Sequence, residues 1–149
     1  MHLQGLRQRA PLPSHPRIAR RVRYVLFAED DPAIAELLRL ALSERLDVAT
    51  AVVANGALVM DALVARRPDL LILDIEMPGL SGLDVFDLVR NDQLWQSVPI
   101  LFLTALPEMA STAKASTGVH DIIAKPFDVD DLVARAERLM AATKADVAA

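Results

Sequence analysis

Apolar residues in this 149-residue chain fall into short continuous runs, separated by longer stretches where they recur every three or four positions. Val22 to Ala28 is predicted as the first strand, apolar from Val25 to Ala28, and Glu29, Asp30 and Asp31 follow at once. Asp31-Pro32 has the form of a helix start, an aspartate cap followed by proline at the first helical position. Ile34, Leu37, Leu38, Ala41 and Leu42 then recur at i, i+3, i+4, i+7 and i+8, which predicts one apolar helix face. A second strand is predicted over Val48 to Val53. Asn55-Gly56 turns into a helix that ends near Arg67, where Pro68 stops it. Leu70 to Asp74 reads as the third strand, four apolar residues and then an acid, with a Pro78-Gly79 loop leading away and Ser81 able to cap a helix to about Asn91. Val98 to Thr104 and Val119 to Ile123 are the fourth and fifth strands, with a polar, alanine-rich helix between them over Glu108 to Ser116. Asp128 caps a last helix with Val129, Leu132, Val133, Ala136, Leu139 and Met140 on one face.

Strand and helix alternate five times. Short apolar strands separated by helices imply a parallel sheet covered on both faces, with right-handed crossovers. The length suits one α/β domain, placed over residues 22–142 with a tail at 143–149. That tail is too short for an output module, so no DNA-binding domain is expected.

Composition narrows the picture. Apolar content of 53% with 24% charged residues describes a soluble globular protein, and the absence of cysteine excludes disulfides and thiol chemistry. No apolar run approaches the roughly 18 residues of a membrane span, and the N-terminus has no signal-like apolar region, so a cytoplasmic location is expected. The net charge of −4 is uneven: residues 1–23 hold six arginines and no acid, leaving 10 basic against 20 acidic residues elsewhere. With Pro11, Pro13 and Pro16, residues 1–21 read as a disordered basic arm, either a solvated leader or a weak contact for an anionic partner such as nucleic acid or a membrane surface.

The candidate chemistry lies at the carboxyl ends of the strands, where ligands bind in open α/β sheets. Strand one ends in Glu29, Asp30 and Asp31, strand three in Asp74, strand four in Thr104-Ala105, and strand five runs into Lys125-Pro126. Singly, each has an ordinary explanation in a cap, a turn hydroxyl or a loop, and Asp31 is better explained as a cap than as a ligand. If these strands are neighbours, the side chains converge on one pocket of carboxylates, a hydroxyl and an ammonium. Clustered carboxylates suit a hard divalent cation such as Mg²⁺, and the lysine and hydroxyl suit phosphate oxygens. His2, His15 and His120 have no ligand spacing, Trp95 is expected to pack in the loop before strand four, and Met60, Met77 and Met140 read as core or loop residues.

The segments Leu26-Phe27-Ala28-Glu29-Asp30-Asp31, Leu73-Asp74-Ile75-Glu76-Met77-Pro78, Leu103-Thr104-Ala105 and Lys125-Pro126-Phe127 together resemble the four signatures of the response-regulator receiver domain of two-component signalling, over about residues 22–142. The resemblance implies a flavodoxin-like, CheY-like doubly wound sheet of strand order 2-1-3-4-5. It implies that Asp74 is the phosphoacceptor, taking a phosphoryl group from a sensor histidine kinase or a histidine phosphotransfer protein. Asp30, Asp74 and the backbone carbonyl of Glu76 would ligate Mg²⁺, with Glu29 acting mainly through a metal-bound water. Thr104 and Lys125 would contact the phosphoryl group, and the Lys125-Pro126 bond would be cis. Such a protein is no enzyme beyond its own phosphorylation and dephosphorylation. It would be read by a downstream protein target, and a homodimer would be in keeping with the family.

Three features depart from the family pattern. Ile122 stands where an aromatic switch residue is frequent. The Thr104–Lys125 interval is about one residue short. Glu76 occupies a position that tunes dephosphorylation, either by repelling the phosphoryl group or by orienting water. An interaction module that is never phosphorylated is the alternative. A haloacid-dehalogenase-like phosphatase, remoter still, also orders Asp, Thr and Lys, but its metal acids follow the lysine, whereas Glu29 and Asp30 precede Asp74.

Overall fold

A computed structural model of the chain describes residues 21–106, 108 and 120–148, with side chains described as far as 142. Among the described residues nine elements follow one another: β1 (Tyr24–Ala28), α1 (Pro32–Leu46), β2 (Ala49–Val53), α2 (Ala57–Ala65), β3 (Leu70–Asp74), α3 (Gly82–Arg90), β4 (Ile100–Thr104), β5 (His120–Ala124) and α4 (Val129–Ala148). The strands form one parallel sheet in the order β2-β1-β3-β4-β5, as expected for a doubly wound fold. The helix expected over Glu108 to Ser116 lies, apart from Glu108, outside the described residues, as does Val119.

Every residue of the three inner strands β1, β3 and β4 is buried, because both faces of the sheet are covered. Alternation then divides each apolar run between two cores. Leu26, Leu71, Leu73, Ile100 and Phe102 face Val59 and Leu63 of α2 and Val85, Phe86 and Val89 of α3. Val25, Phe27, Leu70, Ile72, Leu101 and Leu103 face Leu38 and Leu42 of α1 and Leu132, Ala136, Leu139 and Met140 of α4. The edge strands β2 and β5 are only partly covered, which suits their more polar sequences. Trp95 is buried in the first of these cores, in the stretch before β4.

Several sequence expectations need correction. Val22 is 56% exposed and precedes β1, which begins at Tyr24. The second helix stops at Ala65 rather than near Arg67, and β4 begins at Ile100. Leu37 is exposed, although the periodicity placed it on the buried face. It stands about 100° around the helix from Leu38, and the sheet is met along the narrower Leu38–Leu42 row. The basic arm expected over residues 1–21 lies, apart from Arg21, outside the described residues; Arg21 pairs with Asp69, and Arg23 holds Glu137 at 3.0 Å.

Local capping sets the helices that leave the carboxyl edge. Asp31 accepts from the amides of Ala33 (2.9 Å) and Ile34 (3.4 Å), with Pro32 at the first turn. Ser81 and Asp84 form a reciprocal capping box at α3. Asp128 accepts from the amides of Asp130 (2.7 Å) and Asp131 (3.2 Å). No helix among the described residues is long and apolar enough to cross a membrane.

Candidate functional site: an acidic pocket at the carboxyl edge of the sheet

Since β1, β3, β4 and β5 are contiguous and parallel, their last residues share one edge. Glu29 follows β1 and is 2% exposed; its amide bonds the Val53 carbonyl at 3.0 Å. Asp74 closes β3 and is 1% exposed. Lys125 follows β5, its amide 2.7 Å from the Thr104 carbonyl, and the Lys125–Pro126 bond is cis.

The Lys125 Nζ lies 3.0 Å from Glu29 Oε1 and 3.0 Å from Asp74 Oδ2, so one ammonium bridges two buried carboxylates. Backbone amides supply the remaining bonds: Asp31 donates to Glu29 Oε2 at 3.1 Å and Glu76 donates to Asp74 Oδ1 at 3.1 Å. Asp30 is exposed, and its carboxylate accepts no hydrogen bond from the described residues. One carboxylate oxygen from each of Glu29, Asp30 and Asp74 lies within 4.8 Å of the other two. Asp31 points into the helix start instead, so the acidic triplet divides into two pocket acids and one cap.

Burial and like charge leave a mark on these groups. Glu29 is pushed up from 4.5 to about 7, chiefly by burial and further by the neighbouring Asp74, against the opposing bonds from the Asp31 amide and Lys125. Burial pulls the Lys125 ammonium down, but its bonds to Asp74 and Glu29 outweigh that and hold it above its ordinary value. An oxygen-only donor set with one unpartnered carboxylate at its mouth fits Mg²⁺.

Thr104 closes β4 and is fully buried. Its hydroxyl donates to Glu76 Oε2 at 2.8 Å, and the next amide, Ala105, donates to Glu76 Oε1 at 2.6 Å. Thr104 Oγ1 in turn accepts from the Leu106 amide at 2.9 Å. The structure thus brings Glu29, Asp30, Asp74 and Lys125 into one cluster, and Thr104 beside it on Glu76. Ile122 is half-buried against the core beside α3, and His120, at the far end of β5 from Lys125, is edge-on to Phe86 (5.7 Å) and Phe102 (6.4 Å).

Two positioning residues escaped the sequence reading. A Cβ on Gly82 would stand 2.6 Å from the Asp74 carbonyl oxygen and 2.9 Å from Ile75 Cα, so α3 starts in direct backbone contact with the strand end that carries Asp74. A Cβ on Gly56 would stand 2.2 Å from the Leu80 carbonyl oxygen, which presses the start of α2 onto the loop after β3. Their spacing after Asn55 and Ser81, at helix starts, was the available signal.

The comparisons agree with this geometry. Residues 25–137 match the response regulator receiver domain family. The DNA-binding response regulator MtrA of Mycolicibacterium smegmatis is 38% identical over 113 residues, which span 74% of this chain and 47% of that protein. The DNA-binding dual master transcriptional regulator RpaA of Synechocystis is 34% identical over 121 residues, 80% of this chain and 49% of that protein. The chain therefore spans about half the length of the curated relatives it matches. The structure of the Francisella response regulator 1452 receiver domain superposes with a TM-score of 0.73 at 28% identity, covering 81% of this chain and 98% of the other. In its sheet order, in the placing of its acidic pocket and in its sequence, this chain belongs to the response regulator receiver domain family.

Proposed function

We propose that this chain is the phosphoacceptor of a two-component phosphorelay, with Asp74 taking the phosphoryl group from a phosphohistidine of a sensor kinase or a histidine phosphotransfer protein. The observation that carries this reading is the state of Asp74. Its carboxylate is buried and aimed by two donors at the pocket where Glu29 and Asp30 converge. Receiver domains work with histidine kinases and bind Mg²⁺, and response regulators are signalling proteins rather than enzymes.

The pocket residues divide the work. Glu29, Asp30, Asp74 and the Glu76 carbonyl would hold Mg²⁺, with Glu29 acting through a bound water. When bound, the ion neutralises phosphoryl oxygens as they approach the acids. An Asp74 oxygen attacks phosphorus in line, the histidine N–P bond breaks and an O–P bond forms. Transfer of this kind needs positioning and charge neutralisation more than covalent help. The Glu76 amide and Lys125 hold the Asp74 carboxylate in place, and Lys125 then follows the charge onto the phosphoryl oxygens. Thr104 donates its hydroxyl to one of those oxygens, and its movement shifts the chain beyond β4, which a downstream protein reads. DNA binding is named for the curated relatives as whole proteins, so for this chain the identity of the reader is part of the proposal. A cytoplasmic location and pairing with a second copy fit the same role.

Intact-protein mass after treatment with acetyl phosphate, with and without Mg²⁺, tests the reading on wild type and Asp74→Asn. A Mg²⁺-dependent phosphoryl gain, lost in the variant, is expected. An equal gain in the variant would overturn the assignment of Asp74, and no gain in wild type would favour an interaction module.

A further inference from the structure

Glu76 is an exposed loop residue two positions after Asp74, yet both of its carboxylate oxygens are engaged by groups at the end of the neighbouring strand. The Thr104 hydroxyl holds one oxygen at 2.8 Å, and the Ala105 amide holds the other at 2.6 Å. Short bonds from two consecutive residues to one carboxylate make this turn an anion site, and Glu76 is its occupant. The hydroxyl has one proton to give, and its oxygen already accepts from Leu106 at 2.9 Å. Thr104 therefore cannot donate to Glu76 and to a phosphoryl oxygen at once. An Asp74-linked phosphoryl group carries about −1.5 to −2 of charge where the carboxylate carried about −1, on the Asp74 side of the same turn, so the two anions also repel.

We propose that the Glu76 carboxylate is a resident surrogate for the phosphoryl group, which must be displaced from Thr104 and Ala105 before Asp74-linked phosphoryl can engage them. This inference rests on the phosphoacceptor reading and deepens it. Activation is then an exchange of one anion for another on a turn that is already ordered. Glu76 sets the threshold for the exchange, and its release delivers a free carboxylate to the surface beside the pocket. The same exchange limits how far Thr104 has to travel, which accords with a β5 that offers Ile122 rather than an aromatic ring to follow it.

The test uses the full chain, labelled with ¹⁵N, in wild type, Glu76→Ala and Glu76→Gln, each also combined with Thr104→Val. In metal-free protein the Ala105 amide proton is expected to move to higher field in Glu76→Ala, where its charged acceptor is gone. Titration with beryllofluoride in saturating Mg²⁺ is expected to give binding about tenfold tighter in Glu76→Ala than in wild type, roughly the worth of one charge-assisted hydrogen bond. Glu76→Gln, whose amide oxygen can still accept one bond, falls between them. In the Thr104→Val background the gain from Glu76→Ala is expected to shrink severalfold, because one of the two contested donors is absent and only the Ala105 amide remains. Unchanged affinity and an unmoved Ala105 amide in Glu76→Ala, with wild type still binding saturably, would overturn the surrogate role and leave the phosphoacceptor reading intact. A gain that persists undiminished with Thr104→Val would replace hydrogen-bond competition by plain charge repulsion. No beryllofluoride binding by any form would remove both readings together.

Discussion

Lys125→Met removes the ammonium and keeps most of the unbranched stem. What is lost is one cation 3.0 Å from each of two carboxylates that are 1% and 2% exposed. A hydrogen bond to a charged group contributes about 1.5–3 kcal/mol, so two of them set an upper range of about 3–6 kcal/mol. Glu29 limits its own share: with its proton affinity already near pH 7, it can neutralise itself at pH 8 for about 1.4 kcal/mol. Asp74 keeps only the Glu76 amide and carries its full loss. The expected destabilisation at pH 8 without metal is about 3–4 kcal/mol, inside the range for stranding a buried charge by deleting its partner. Urea denaturation reads it through Trp95, the single tryptophan, which is buried in the core between the sheet and α3. At pH 6 Glu29 is largely protonated in both forms, so the loss should shrink by about 1 kcal/mol. Mg²⁺ should recover part of the loss, since a bound cation restores positive charge between the acids. A loss below about 1 kcal/mol at pH 8 without Mg²⁺ would show that the two carboxylates do not depend on Lys125, and the electrostatic account of the pocket would fail.

Three further outcomes follow from the same geometry. Gly82→Ala places a methyl group against the Asp74 carbonyl and Ile75 Cα, backbone atoms that no rotamer change can move aside, and is expected to cost about 1–3 kcal/mol in urea denaturation and to lower the yield of phosphoryl gain measured by mass. Asp31→Ala is expected to cost about 1 kcal/mol through the lost cap of α1 while leaving Mg²⁺ affinity within about twofold, whereas Asp30→Asn, at the mouth of the pocket, should weaken Mg²⁺ about tenfold or more by calorimetry. The raised Glu29 makes the metal-free protein favour the proton. Its contribution to stability is complete below the ordinary carboxylate value of 4.5 and is lost as pH rises through about 7. Relative to Glu29→Gln, metal-free wild type should therefore lose up to about 3 kcal/mol between pH 5 and pH 8, and equal pH slopes for the two proteins would contradict the shift.

The parts of this protein that were legible in its sequence share a physical reason. Asp31, Ser81 and Asp128 act on amides within three residues of themselves, so their roles are written locally. Glu29, Asp74, Thr104 and Lys125 lie far apart in the chain, but each stands at the end of an apolar strand, and a parallel sheet brings such ends to one edge. Given the alternation of strand and helix, their meeting is a consequence of topology. Leu37 failed because periodicity marks every apolar position on a helix flank, while contact with the sheet uses a narrower row. Gly82 and Gly56 act by having nothing where a side chain would strike the backbone of a distant loop; their place at helix starts is visible in the sequence, but the backbone they would strike is not. The Ala105 amide has no side-chain signature at all, and Glu76, lying just past a strand end, carried no indication of which way it turns. The pocket's composition was therefore readable, but the bond that links its loop to β4 was not. That bond is a matter of geometry between two strand ends rather than of residue type at either one.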